Sequence, residues 1–158
     1  MSHWFSGSAM CPVDGDGFLM LPEFVRLTLS KLSDANLLVI APHLSEPCLI
    51  GYDRSHHRVL HADQERLRSS QYEADQLDAR ARHIFGWAEE ARYDPDGRMS
   101  LPVPMRRKGR VDGLALFVGV GAAFEIWNPQ IALESGDQAL SEIAAWRSPS
   151  SLQPLQEV

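Results

Sequence analysis

Two short segments combine aspartate and glycine at a spacing that suits either a metal-binding loop or a tight turn. They are Asp14-Gly-Asp-Gly17 and Asp94-Pro-Asp-Gly97. A calcium-binding EF-hand loop needs an oxygen ligand at its first position. Pro12 stands there in the first segment and Arg92 in the second. The pattern therefore favours a tight turn over a calcium loop, and we expect neither a metal ion nor a cofactor.

Both segments lead into the same short motif. Aspartate side chains accept hydrogen bonds from their own backbone in tight turns, and glycine adopts positive φ at little cost. A few residues later each segment reaches a Leu-Pro pair, Leu21-Pro22 or Leu101-Pro102. Proline cannot donate a hydrogen bond to a sheet but fits the start of a helix. Each motif therefore predicts a turn, a short strand and then a helix.

The histidines and cysteines offer weaker chemistry. His57 and His61 lie four residues apart and would share a helical face, as zinc ligands do, with His56 beside them. Because no cysteine or further histidine follows at a useful spacing, we expect solvated polar side chains. Cys11 and Cys48 are predicted to pack as small apolar residues, and two cysteines form no disulfide framework, which fits a reducing cytoplasm.

Basic residues concentrate in one segment, although the chain carries a net charge of -6. Phosphate binding needs only a local basic surface, because salt screens each charge beyond roughly 10 Å. The cations of the segment are Arg92, Arg98, Arg106, Arg107, Lys108 and Arg110. Two interpretations stay open for Arg98, ion pairing with Asp94 and Asp96 or contact with nucleic acid. The run from Arg106 likewise either lies at a helix end or contacts phosphate.

The two motifs belong to a longer internal repeat with an offset of 80 residues. Elements in the same order follow each motif, which a chance match of five residues would not produce. For the first copy we predict helix Glu23–Leu32, strands 37–40 and 48–52 and helix 54–68. For the second we predict a short helix around 105–108, strands 114–118 and 124–127 and helix 129–146, with Asn128 as its N-cap.

A further amphipathic helix over 73–87 is predicted to link the two copies. The predicted organisation is a first half over 3–70, a linking helix within 71–88, a second half over 89–147 and a loose tail over 148–158. Such small units cannot bury a core alone. We therefore expect an α+β fold in which two units intertwine and close a small barrel.

Composition and motifs exclude several classes of protein. Hydrophobic residues make up 44% of the chain, as in an ordinary globular core, and the longest apolar run is too short to span a bilayer. The first residues lack the basic and apolar segments of a signal peptide. No glycine-rich phosphate loop or nucleophile elbow is present. We expect neither an enzyme nor a small-molecule substrate, and no membrane partner.

The ordered motifs resemble the MraZ family of the AbrB-like swapped-hairpin superfamily. In the second half the resemblance rests on Asp94-x-x-Gly97-Arg98-x-x-Leu101-Pro102, Arg106, Leu116-Phe-Val-Gly119-Val-Gly121 and Phe124-Glu-Ile-Trp127. In the first half it rests on Gly7, Asp14-x-x-Gly17, Leu21-Pro22, Arg26 and Pro47-Cys48-Leu49 with Tyr52. It covers about residues 3 to 147.

The resemblance implies tandem swapped-hairpin units that form a double-split β-barrel with flanking helices. It also implies a bacterial transcriptional regulator, cytoplasmic and nucleoid-associated, that assembles into a ring. The family binds short DNA repeats upstream of the division and cell-wall gene cluster, which usually includes its own gene. By this resemblance, the residue that reads DNA is Arg98, and Asp94 and Gly97 shape the turn that carries it. The further candidate contacts are Arg106, Arg107, Lys108 and Arg26.

The first half departs from the family at its turn, where Phe18 replaces an arginine and Asp16 a frequent lysine. Without those cations the turn can neither neutralise phosphate nor make a two-pronged contact with guanine. Three alternatives follow: the second turn takes over, Arg26 and Lys31 contribute from the first helix, or DNA binding is weak. A protein-binding scaffold that keeps the ring but has lost DNA recognition is the main rival function. An antitoxin-like relative fits less well, because a second copy replaces the toxin-binding tail.

Overall fold

The computed structural model describes residues 3–149 of the 158-residue chain. Over this range the backbone alternates short strands with helices in the order that the repeat predicts. The strands are β1 (Ser8–Pro12), β2 (Phe18–Met20), β3 (Leu37–Pro42), β4 (Leu49–Tyr52), β5 (Glu89–Arg92), β6 (Arg98–Ser100), β7 (Leu114–Gly119) and β8 (Phe124–Trp127). The helices are α1 (Glu23–Leu32), α2 (His56–Arg68), α3 (Ala74–Ala81), α4 (Val103–Gly109), α5 (Pro129–Leu133) and α6 (Gln138–Arg147).

Six strands form one antiparallel sheet in the order β1-β7-β8-β4-β3-β5. The first strand of each half pairs with the third strand of the other half. Ser8–Pro12 runs beside Leu114–Gly119, and Glu89–Arg92 runs beside Leu37–Pro42. Neither half has a complete sheet of its own, so the two copies share one fold of the predicted α+β class.

The sheet is open in the described part of the chain, because its outer strands β1 and β5 do not pair with each other. The predicted closed barrel is therefore not confirmed. The remaining strands, β2 and β6, pair with one another in a separate two-stranded ribbon. An exposed strand edge normally needs covering or blunting, and both outer strands are short.

The central strands β3, β4, β7 and β8 are buried on both faces, so they do not alternate simply between apolar and polar residues. On one face lies the main core, where Phe117 and Phe124 stack with ring centroids 5.9 Å apart and Phe5 packs against Phe124. The other face is covered by two helical layers. Trp127 packs under Leu140 and Ala144 of α6 in one cluster, and a separate cluster holds Tyr52 and Val39 beside Leu60 of α2.

The C-terminal helical region differs from its prediction. One helix was expected over 129–146, but α5 ends at Leu133 and α6 begins at Gln138. The break has a local cause, since the Asp137 carboxylate accepts a hydrogen bond from the Leu140 N–H and starts a new helix. The predicted cap at Asn128 is confirmed, because its Oδ1 accepts hydrogen bonds from the backbone N–H groups of two α5 residues at 2.9 and 3.1 Å.

The linking helix is also interrupted. The α-helical part ends at Ala81, and Arg82–Gly86 continues as one π-helical turn. Leu77 and Ile84 are buried as the apolar spacing predicts. No helix in residues 3–149 has the length and apolar character to cross a bilayer. The predicted loose tail lies, from residue 150 onward, outside the described residues.

Candidate nucleic-acid interface

The two Asp-Gly turns have the same geometry. Asp14 Oδ1 accepts hydrogen bonds from the N–H groups of residues 16 and 18 at 3.0 and 2.9 Å. Asp94 Oδ1 accepts the equivalent bonds at 3.0 and 2.9 Å. Gly17 and Gly97 both adopt positive φ, at +87° and +93°. The aspartates therefore shape tight turns, as predicted, with side-chain oxygens engaged by the backbone.

The turns lie at opposite ends of the β2–β6 ribbon, which joins the two halves. Leu19 pairs with Met99 at its centre, and both side chains are buried. The Leu21 N–H donates to the Gly97 carbonyl at 2.8 Å, and the Leu101 N–H donates to the Gly17 carbonyl at 2.9 Å. Side chains alternate across a strand. The outer face of the ribbon consequently presents Phe18, Met20, Arg98 and Ser100.

Arg26 and Arg106 support the turns in a reciprocal arrangement. Arg106, on α4 of the second half, donates through Nε to the Leu101 carbonyl at 3.2 Å and through Nη1 to the Gly15 carbonyl at 3.4 Å. Arg26, on α1 of the first half, lies against Gly97, where an added Cβ would come within 2.9 Å of its Cδ. Both are only partly exposed. Each arginine thus braces the turn of the other half.

The same contacts predict unequal effects for two matched substitutions, Gly17→Ala and Gly97→Ala. Both force a residue with a Cβ to keep positive φ, which costs about 1–2 kcal/mol. At Gly17 the Cβ also meets the Leu101 carbonyl oxygen at 2.9 Å, whereas at Gly97 the nearest backbone oxygen is 3.6 Å away. We expect Gly17→Ala to lose about 1 kcal/mol more. Urea denaturation checks this; equal midpoints, or a larger loss at Gly97, would contradict the packing argument.

Arg98 stands on the outer face of the ribbon and stacks on an aromatic ring. Its guanidinium carbon lies 4.4 Å from the centroid of the Phe18 ring. No carboxylate of the described residues comes within ion-pairing distance of it, so the interpretation that Arg98 pairs with Asp94 and Asp96 is wrong for this structure. An exposed cation–π contact of this kind contributes about 0.5–1 kcal/mol. Phe18 therefore orients the guanidinium without neutralising it.

The basic segment does not form one continuous surface. Arg92 and Arg98 line the same shallow groove of about 500 Å³, together with Phe18 and Pro102. Arg107 and Lys108 line a different depression next to Trp87, and Lys108 Nζ lies 4.8 Å from the centroid of the Trp87 ring. The structure thus brings Arg98 together with Arg92, a cation of the basic segment that the sequence did not indicate as a DNA contact.

Phe18 and Met20 are the other residues of this surface that the sequence analysis did not assign to it. Phe18 was noted only as a missing arginine. The signal that could have found its contact is the repeat itself, because pairing of the two copies through their short strands places position 18 close to position 98. Met20 would follow from the same alternation along β2.

The remaining chemical candidates have structural roles. His56 and His57 are partly buried with their rings edge-on to Tyr52, at centroid distances of 5.1 and 5.4 Å, so the expectation of solvated histidines is wrong for these two. Residues 3–149 contain no cluster of metal-binding side chains. Cys11 and Cys48 are free and buried as predicted, and burial raises the pKa of the Cys11 thiol to about 11, which makes it a poor nucleophile.

The fold and the site define a class of protein: an internally duplicated α+β chain whose halves exchange strands and present an arginine on a ribbon between two Asp-Gly turns. Comparison with known proteins assigns the family. The chain is 30% identical to the transcriptional regulator MraZ of Desulfitobacterium hafniense (strain Y51) over 135 residues, covering 85% of this chain and 88% of that relative.

Two further relatives carry the same name. MraZ of Legionella pneumophila (strain Corby) is 26% identical over 141 residues, which cover 89% of this chain and 90% of the relative. MraZ of Marinomonas sp. (strain MWYL1) is 29% identical over 126 residues, which cover 80% and 81%. No protein-family profile matches the chain. On these similarities the chain belongs to the MraZ family of transcriptional regulators.

Proposed function

We propose that this protein is a transcriptional regulator that binds double-stranded DNA through the outer face of the β2–β6 ribbon. The observation that carries the proposal is Arg98, exposed on that face at the start of β6 and held by the Phe18 ring 4.4 Å away. The major groove of DNA accommodates a two-stranded ribbon. Within it, a guanidinium donates two parallel hydrogen bonds to the O6 and N7 atoms of guanine.

The other basic residues take supporting roles in this proposal. Arg92 shares the groove with Arg98 and contacts phosphate beside it. Arg107 and Lys108, in the separate depression next to Trp87, contact phosphate further along the duplex. Asp94 and Gly97 hold the shape of the turn that carries Arg98. Arg106 supports the turns, because its guanidinium donates to the Leu101 and Gly15 carbonyls, and Arg26 packs against the Gly97 turn.

Assembly would supply the affinity that one ribbon lacks. A single arginine contact with a base contributes only about 1–3 kcal/mol of discrimination. We propose that the chain forms a ring of identical subunits that bind short repeats upstream of the division and cell-wall gene cluster, including its own gene. Several weak contacts on successive repeats then act together through effective concentration.

Several finer features belong to the same proposal. The organisation is that of two swapped-hairpin halves, over 3–70 and 89–147, with a linking helix in 71–88. We propose that the open sheet closes into a double-split barrel when its outer strands pair with each other or with a partner. The protein would act in the cytoplasm on the nucleoid, with no catalytic activity, cofactor or small-molecule substrate.

A mobility-shift titration tests this function, using the DNA immediately upstream of the protein's own coding sequence and native mass spectrometry in parallel. We expect an oligomer that binds this DNA at low salt and loses at least about tenfold in affinity between about 50 and 200 mM salt, because phosphate contacts release counterions. A shuffled duplex of the same composition is the control. A monomer, or an oligomer that ignores the upstream DNA at low salt, would refute the proposal.

The second candidate function is a ring-forming scaffold for other proteins, and the observation that favours it is Phe18 in place of an arginine. Phe18→Arg discriminates between the two functions. If the natural protein is a regulator, the added cation yields a gain of roughly tenfold or less, as expected for one more phosphate contact. If the natural protein has lost DNA recognition, the variant changes from no detectable binding to clear binding.

A further inference from the structure

The outer face of the ribbon is chemically different in its two halves. The second half contributes Arg98 and Ser100, and the first half contributes two apolar side chains at the equivalent positions. Phe18 is 37% exposed and Met20 is 49% exposed, whereas Leu19 and Met99 between them are buried. A ribbon built from two identical copies would read DNA alike in both directions. This one has an arginine half and an apolar half.

We propose that Phe18 and Met20 contact the 5-methyl groups of thymines next to the base that Arg98 binds. The inference rests on the proposed function, because it assumes that the ribbon enters the major groove. The thymine methyl is the apolar group that base pairs display in that groove. Phe18 lines a groove with Arg92 and Arg98, which Glu90 and Asp94 also line. Glu90 pairs with Arg54, and Asp94 accepts hydrogen bonds from backbone N–H groups, so within the described residues no carboxylate neutralises the Arg98 guanidinium beside Phe18.

The spacing of the side chains supports this assignment. Phe18 and Met20 lie two residues apart on one strand, a separation of about 6.7 Å along its axis. Successive base pairs lie about 3.4 Å apart. A strand lying along the groove therefore places these side chains about two base pairs apart. Because the Arg98 guanidinium stacks on Phe18, the base that Arg98 binds lies next to these thymines. The ribbon consequently distinguishes the two directions of the duplex.

The test compares two duplexes of the upstream DNA that differ only in methyl groups, one with thymine and one with deoxyuridine throughout. Deoxyuridine keeps the pairing and the O4 acceptor. We expect the natural protein to bind the deoxyuridine duplex about fourfold more weakly for each contacted methyl. Met20→Ser, which leaves Phe18 under Arg98, and Phe18→Ala should each reduce this preference. Val59→Ser, another exposed apolar position but on α2, should keep it.

The outcomes separate this inference from the proposed function. Equal binding to both duplexes overturns the inference and leaves DNA recognition intact, whereas binding to neither overturns both. A preference for thymine that Met20→Ser and Phe18→Ala leave unchanged arises elsewhere and also overturns the inference. If either variant instead lowers the native mass, the apolar half contacts another copy of the chain, and the inference fails.

Discussion

Arg98→Ala is expected to lower the affinity for the upstream DNA by at least about thirtyfold. Each subunit loses one two-pronged contact with a base, which contributes about 1–3 kcal/mol. Two subunits engaged at once therefore lose about 2 kcal/mol at the lower limit, and every 1.4 kcal/mol corresponds to a factor of ten. The effect should fall on affinity alone, since Arg98 is exposed and its cation–π contact with Phe18 contributes little to stability.

The matched control is Arg68→Ala. Arg68 is also an exposed arginine, but it lies at the end of α2 and pairs with Glu65 at 3.2 Å. Its removal changes the charge by the same amount and should reduce affinity by no more than a few-fold. Mobility-shift titrations at one fixed salt concentration, with melting temperatures for both variants, measure the difference. Equal, small effects from the two substitutions would refute the assignment of Arg98.

Gly51→Ala is expected to cause a large loss of stability. Gly51 lies in β4 between Ile40 of β3 and Phe124 of β8. An added Cβ would come within 2.3 Å of the Phe124 ring, which is fully buried between Phe5 and Phe117. Since a close-packed ring cannot move without displacing its neighbours, we expect a loss of about 3 kcal/mol. In a chain of this size that lowers the melting temperature by roughly 10 °C.

Gly136→Ala is the control for this substitution. Gly136 is not in the positive-φ region, and no heavy atom lies within 4 Å of an added Cβ. Its replacement should leave the melting temperature unchanged or raise it slightly, because alanine restricts the unfolded chain. Thermal unfolding followed by circular dichroism measures both variants. If the Gly51→Ala variant and the natural protein have the same melting temperature, the core around Phe124 is looser than the packing indicates.

Most helix and strand positions followed from the sequence, because they depend on residues close together in the chain. The turns form through hydrogen bonds that the Asp14 and Asp94 carboxylates accept from backbone N–H groups two and four residues away. Helix α1 has the predicted bounds, and its start follows from Pro22. The prediction of one helix over 129–146 is wrong because the Asp137 side chain caps a second helix, a local signal that lies outside the apolar pattern.

The candidate site was only partly predictable for the opposite reason. Its key residue, Arg98, was identified from a local motif and a resemblance, but its neighbours were not. Phe18 lies 80 residues from Arg98 in the chain and contacts it only because β2 pairs with β6. The Arg106 guanidinium likewise reaches the Gly15 carbonyl, 91 residues away in the chain. No local pattern specifies such contacts.

By itself, the sequence determined the repeat, the turn chemistry, most elements and the family to which the chain belongs. The tertiary structure alone decided that β1 and β5 exchange between the halves, that the sheet stays open, and that Arg98 stacks on Phe18. The physical reason is one of distance. Turns and caps form within a few residues, but strand pairing between distant segments is selected by the burial of the whole apolar surface at once.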